Sequence, residues 1–327
     1  SIIRSRIIPL RKVFTKDNDY IDRFEILQLK NYITDAEMKD HVRYLSDAIV
    51  NGHETNDLFA GNPINIESFN FSTVDILIDK WFNGKDLPKW YNSTPYYTEV
   101  EGQLFVDGIK PSDARQGDVG DCYFITALNA LSQTAPKIIE NFFIEISHNV
   151  WAVRFFDNAG EAHYVTVNNE FAINRSREHL FAHFGGLNAD DISNELWPAL
   201  IEKAYVQVSQ NKLIKNGSNT YNDIALGDSG RALLHLTNKE PLRIKGVGKQ
   251  AYIDYIQKNK PITVSHNAQR HTYTIESYNA EEDKFFLRNP WQHSHIYATW
   301  EELEAIPIVG SAFGGYVFDI NAENLNN

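Results

Sequence analysis

Cys122 is the only cysteine of the chain. It stands in Gln116-Gly117-Asp118-Val119-Gly120-Asp121-Cys122-Tyr123-Phe124, where a glycine-bearing turn runs into an apolar, helix-forming stretch. This pattern predicts a nucleophile mounted on a helix N-terminus. The first backbone N–H groups of a helix lack intrahelical partners and the helix dipole adds partial positive charge there, so a thiolate is favoured over a thiol. A lone cysteine is otherwise commonly a small buried hydrophobe. Its neighbours favour chemistry: Gln116 can bring a side-chain amide near the sulfur, and Gly117 and Gly120 let the backbone approach a substrate with no Cβ in the way.

A thiolate nucleophile needs a base, and the base needs an orienting group. His271 lies in Arg270-His271-Thr272-Tyr273-Thr274-Ile275, whose alternation predicts a strand. Asn289 lies in Phe285-Phe286-Leu287-Arg288-Asn289-Pro290-Trp291, a second strand ending at a proline. Asn279-Ala280-Glu281-Glu282-Asp283 between them reads as a hairpin turn, so the paired strands bring His and Asn side by side. His271 follows Cys122 by 149 residues (122 to 271), and Asn289 follows His271 by 18 (271 to 289). With eleven histidines in the chain a single one says little, and the conjunction carries the reading. Trp291 is placed to shield the Asn–His hydrogen bond from competing water.

These residues resemble the calpain family of papain-like cysteine proteases. The likeness runs over roughly residues 86–320, through Gln116-Gly117…Gly120-Asp121-Cys122, the helix Glu195-Leu196-Trp197-Pro198-Ala199-Leu200-Ile201-Glu202-Lys203-Ala204-Tyr205, His271 before a tyrosine-containing strand, and Leu287-Arg288-Asn289-Pro290-Trp291. The resemblance implies an α+β, papain-like two-lobe fold and a cysteine endopeptidase acting on protein or peptide substrates through a thioester acyl-enzyme. It implies Cys122 as nucleophile, His271 as general base and then acid, Asn289 as orienter, and Gln116 with the Cys122 backbone N–H as oxyanion hole. A calcium site in the cysteine-bearing lobe falls on Val106, Gly108, Asp113 and Glu195, an all-oxygen set suited to a hard cation. Without a metal, Asp113 is simply a turn residue and Glu195 a surface helix acid. The second calcium site of the family is expected to be missing, because Gln292-His293-Ser294-His295-Ile296-Tyr297 offers imidazoles where calcium wants carboxylates. Asn168 and Asn169 likewise stand where calpains usually show aspartates.

The elements needed to position this chemistry divide the chain into three regions. Residues 1–85 hold an amphipathic helix from Asp35-Ala36-Glu37-Met38 through Val42, Leu45 and Ile49, and a second at Val74–Phe82. That region reads as a propeptide-like cover, a docked adaptor, or the tail of an upstream domain. Residues 86–217 form the lobe with the nucleophile: a helix from Cys122, one near Pro136–Phe143, a hairpin of Trp151–Asp157 with Ala162–Asn168, and the Glu195 helix. Residues 218–327 form the lobe with His and Asn, with strands at Ile262–Ser265, His271–Ser277, Lys284–Arg288 and Tyr316–Ile320. The turn-rich Asn216-Gly217-Ser218-Asn219 reads as the hinge.

Other constellations are weaker. His179 and His183 have i, i+4 spacing, but Leu180 follows His179, so the glutamate base of a zinc hydrolase is absent. Asp190-Asp191 reads as a helix cap or solvated loop, and Gly246-Val247-Gly248 lacks the third glycine of a phosphate loop. A 327-residue chain, 43% hydrophobic and 13% aromatic, suffices for two lobes. Net charge −12 with no basic stripe argues against a nucleic-acid partner, and no run of about 18 apolar residues predicts a membrane span. One cysteine suits a reducing, cytoplasmic setting, although a secreted or delivered effector is compatible. The chain opens on Ser1 and lacks the apolar run of a secretory signal, so it is expected to be a processed product or a segment of a larger polypeptide, such as a toxin. Acyl transfer of the transglutaminase type, with its Cys–His–acid triad, is the rival reaction, and Asn289 in place of an acid leans against it. A non-catalytic scaffold is the third reading.

Overall fold

Alternation along one hairpin lays out the first lobe. Strands Val150–Phe156 (β3) and Ala162–Asn168 (β4) pair antiparallel from Val150↔Asn168 to Phe156↔Ala162. Successive side chains leave opposite faces of a strand. Trp151, Val153, Phe155, Val165 and Val167 therefore enter one core, while Ala152 and Tyr164 enter another on the far side of the sheet. In this computed structural model, residues 39–56, 71–214, 217–266, 271–305 and 314–318 are described. Strand Phe143–Ser147 (β2) completes a sheet of order β2-β3-β4. The helix expected near Pro136–Phe143 is shorter, Pro136–Glu140, and its last residues open into β2, where Phe143-Ile144-Glu145-Ile146 has β-branched, alternating character.

The first core lies under the inner face of this sheet. Helix Cys122–Thr134 is buried from Cys122 to Ser132, and Phe124 stacks on Tyr205 of helix Trp197–Val208 at 4.0 Å. That second helix starts at Trp197 with Pro198 in its first turn, where a proline costs no hydrogen bond. Glu195 therefore precedes the helix and bridges to Gln103, which corrects its expected place on the helix surface. Strand Tyr97–Glu99 (β1) pairs with Glu170–Ala172 (β5) at the edge of this lobe. Tyr221, Ile224, Ala232, Leu233 and Leu236, which follow the expected boundary at 217/218, also pack in the first core, the last three from helix Ser229–Thr237. Residue 216 of the expected hinge lies outside the described residues.

The outer face of the sheet is closed by the N-terminal region. Leu45 and Ile49, from helix Asp40–Asp47 and the π-helical turn Ala48–Gly52, join Leu77 and Trp81 of helix Phe71–Phe82 against Ile146, Ala152 and Tyr164. Thr166 donates to the Trp81 carbonyl at 2.6 Å, and Trp81 Nε1 donates to Asn56 Oδ1 at 2.7 Å. Asp35–Met38, expected to begin the first helix, lies outside the described residues.

The second lobe is an antiparallel sheet of order β10-β9-β8-β7-β11-β6. Its strands are Leu242–Lys245 (β6), Ile262–His266 (β7), His271–Asn279 (β8), Lys284–Arg288 (β9), Ile296–Thr299 (β10) and Gly314–Val317 (β11). Ile262, Val264, Tyr273, Ile275, Phe285 and Leu287 form its core with Tyr252 of helix Lys249–Gln257 and Leu303 of helix Trp300–Ala305. The strand expected at Tyr316–Ile320 is found two residues earlier, and 319–320 lie outside the described residues.

Candidate active site

The thiol and the imidazole are carried by two elements that touch. Helix Cys122–Thr134 lies against β8: Thr126 Oγ1 donates to the Thr272 carbonyl at 3.1 Å, and Thr274 Oγ1 donates to the Thr126 carbonyl at 3.0 Å. Cys122, the first residue of the helix, is 7% exposed and hydrogen-bonds with Thr272, the neighbour of His271. The nucleophile candidate and the base candidate are therefore carried on two elements in contact, with Thr272 between them in sequence and in space.

Asn289 fixes the imidazole. His271 Nε2 lies 3.0 Å from Asn289 Oδ1, and that oxygen also accepts the Trp291 backbone N–H at 3.0 Å. An amide oxygen only accepts, so Nε2 carries the proton and Nδ1 the lone pair. Asn289 Nδ2 donates to the Ser294 carbonyl at 3.3 Å, while His295 Nδ1 accepts the Asn289 backbone N–H at 3.0 Å. Asn289 is 1% exposed, and the Trp291 ring lies 4.4 Å from the imidazole ring with its other side toward solvent. The Gln292–Ile296 segment thus holds the orienting amide.

The electrostatics of the thiol differ from the sequence expectation. Burial pushes the Cys122 thiol up, Asp121 pushes it further, and hydrogen bonds at Thr272 draw it back in part. Removing water from a thiolate disfavours the anion, so burial and Asp121 act against the positive end of the helix. Asp121 and Glu202 are both fully buried, neither carboxylate oxygen of Asp121 finds a hydrogen-bond partner among the described residues, and burial raises both carboxyls, with the charge of Asp121 raising Glu202 further.

Gln116 is tied into the nucleophile loop and across to the other lobe. Its Nε2 donates to the Val119 carbonyl at 2.7 Å, and its backbone N–H donates to the Pro290 carbonyl at 3.0 Å. Gly117 serves packing: a Cβ there would stand 2.1 Å from the Phe181 carbonyl oxygen. At Gly120 an added Cβ would meet nothing nearer than the Ala225 Cβ at 4.0 Å, so of the two glycines only this one leaves open space beside the cysteine.

Residues that could hold a hard cation lie in the loop before this turn. Glu195 Oε1 accepts the Val106 N–H at 2.9 Å and Asp113 Oδ2 accepts the Lys110 N–H at 2.6 Å. Burial pushes Glu195 up to about 7, with Asp113 adding to the effect, and burial raises Asp113 as well. Asp107 and Gly108 turn the backbone through positive φ of 54° and 79°. Two carboxylates that oppose each other's ionisation, beside a tight loop, suit an oxygen-bound cation. Among the described residues no group of three or more His, Cys, Asp or Glu side chains is placed to hold a metal. His179 and His183 lie on irregular backbone, not a helix, with rings 3.1 Å apart and Arg115 adding positive charge beside them. Asp190 pairs with Arg177, and Asp191 accepts the N–H groups of Leu187 and Ser193. Asn168 accepts from buried Lys203, and Asn169 donates to the Val100 carbonyl.

Sequence reasoning missed Thr272, Asp121, Glu202, Gln292 and His295. The signal for the last two was their closeness to Asn289; Glu202 carries no local signal, because its partner arrives from another helix.

The family model described as calpain family cysteine protease matches residues 80–305. The chain is 29% identical over 168 residues to Calpain-5 of Mus musculus, covering 43% of this chain and 24% of that protein. It is 26% identical over 196 residues to Calpain-A of Drosophila melanogaster, covering 56% of this chain and 20% of that one. The chain thus matches about a quarter or less of the length of these curated relatives.

Proposed function

This chain belongs to the calpain family of cysteine proteases, and from that premise we propose that it hydrolyses peptide bonds with Cys122 as nucleophile and His271 as base. The Cys122 proton passes to Nδ1 of His271, whose Nε2–H is held by Asn289, and the thiolate–imidazolium pair offsets the cost of a buried sulfur anion. The sulfur attacks the peptide carbonyl, and the oxyanion is received by the remaining Gln116 N–H and the N-terminus of the Cys122 helix. His271 then protonates the leaving amine, the thioester forms, and water deprotonated by the same imidazole releases the acid. The observation that carries this reading is the His271–Asn289 hydrogen bond on a strand packed against the cysteine's helix. The neutral amide of Asn289 favours hydrolysis over transglutaminase-type transfer.

Calcium regulation is a proposal on the chemistry of the loop. The carbonyls of Val106 and Gly108 with the carboxylates of Asp113 and Glu195 would hold Ca2+, whose charge would let both acids ionise together. Bound there, it would stiffen the loop that leads to Gln116.

Hydrolysis of casein by the wild type and by Cys122→Ala, each with calcium and with chelator, tests both statements. Activity is expected in the wild type only, and to be higher with calcium. Equal activity in chelator would remove the regulatory statement, and activity in Cys122→Ala the catalytic one.

A further inference from the structure

Three hydrogen bonds join the turn after Asn289 to the loop before Gln116, and two of them come from one side chain. Gln292 Nε2 donates to the carbonyls of Pro111 and Ala114, at 2.9 and 2.8 Å. The third is the Gln116 N–H to the Pro290 carbonyl, at 3.0 Å. Gln292 adopts φ of 58°, a left-handed conformation that a residue with a side chain rarely keeps unless its contacts demand it. Those contacts account for the whole amide. Arg288 Nη1 donates to Gln292 Oε1 at 2.7 Å, so the oxygen faces a cation and both N–H groups face carbonyls. Arg288 is itself held by two bonds to Glu276, from Nε at 2.5 Å and Nη2 at 3.0 Å. On the other side, the side-chain amide of Asn129 from the cysteine's helix stands 3.0 and 3.1 Å from the same two carbonyls, and only its nitrogen end could donate to them.

We propose that Gln292 is a positioning residue that fastens the Asn289 turn to the Gln116 loop, and so aligns the imidazole-bearing lobe with the nucleophile helix. The inference rests on the catalytic reading above. The connection runs from Glu276 through Arg288 and Gln292 to the Pro111 and Ala114 carbonyls, and through Asn129 into the helix that begins at Cys122. It consists of hydrogen bonds within the chain, so it operates in chelator as well as with calcium.

The test compares Gln292→Ala and Gln292→Glu in the full chain, in chelator. Glutamate keeps the length and the Arg288 contact but cannot donate to the two carbonyls. Both variants are expected to lose about tenfold in kcat/KM on a peptide substrate, through kcat more than KM, equivalent to about 1.4 kcal/mol. Backbone hydrogen exchange at Gln116 should accelerate in parallel, and alkylation of Cys122 by iodoacetamide should slow, because the thiolate it needs is offset by an aligned imidazolium. A Gln292→Glu variant with wild-type turnover would overturn the proposal, as would unchanged exchange at Gln116 or loss of the folded state in both variants. If the wild type cleaves nothing either in chelator or with calcium while exchange responds as expected, the catalytic reading falls and the fastening role stands.

Discussion

At Cys122 the sulfur is opposed by its own sequence neighbour. Asp121 is fully buried and its negative charge raises the thiol, whereas the hydrogen bonds at Thr272 lower it. Asp121→Asn removes the charge, so the thiolate costs less and alkylation of Cys122 is expected to reach its half-maximal rate at lower pH than in the wild type. Iodoacetamide kinetics against pH give this directly, because the chain holds one cysteine. An unmoved midpoint would show that Asp121 carries no charge that bears on the sulfur. Cys122, His271 and Asn289 were legible in the sequence because each is a residue type the chemistry requires, in a local pattern that names its element. Gln292 and Glu202 were not: an amide or a carboxyl acquires its role from a partner supplied by distant chain, Pro111 in one case and Asp121 in the other.

Elements are legible to the extent that their own residues decide them. The alternation of β3 and β4 and the apolar run of the Cys122 helix are intrinsic, and the structure shows them within a residue or two of expectation. Strand β6, Leu-Arg-Ile-Lys, is largely solvent-facing, and strand β10, Ile-Tyr-Ala-Thr, buries only Ala298; each is four residues long, and pairing with β11 and β9 makes them strands. The loop from Arg115 to Asp121 depends on a close approach that composition only hints at. Gly117 lies on the backbone of Phe181, and Asp118 N–H donates to the Leu180 carbonyl at 2.9 Å. Gly117→Ala must push that segment away, at a cost of about 1–3 kcal/mol for overpacking. A lower denaturation midpoint and a fall in kcat through displaced Gln116 are expected. Gly120→Ala, with open space around it, should keep its stability and suffer only where a substrate must pass.

Across the whole molecule, the match to the family begins at residue 80, yet the sheet of the first lobe is covered in large part by side chains that precede it, Leu45, Ile49 and Leu77 among them. Trp81 is 1% exposed and Leu45 fully buried between the N-terminal helices and β3–β4. Trp81→Ala should cost about 3–5 kcal/mol, the usual range for emptying such a site, and Leu45→Ala about 2–5 kcal/mol. Urea denaturation followed by circular dichroism measures both, and a loss under 1 kcal/mol in each would show that these helices rest loosely on the sheet. The sequence showed the amphipathic character of that region but not its target, since an apolar stripe states that something will be covered and not what. Having both faces of β3–β4 dry has a consequence for how the hairpin finds its alignment. In a sheet with one wet side, a strand that slips by one position turns its apolar set toward water and is rejected once. Here the same slip would drive Trp151, Val153 and Phe155 into the space shaped for Ala152 and strip the inner core of its largest rings, so misalignment is penalised from two directions.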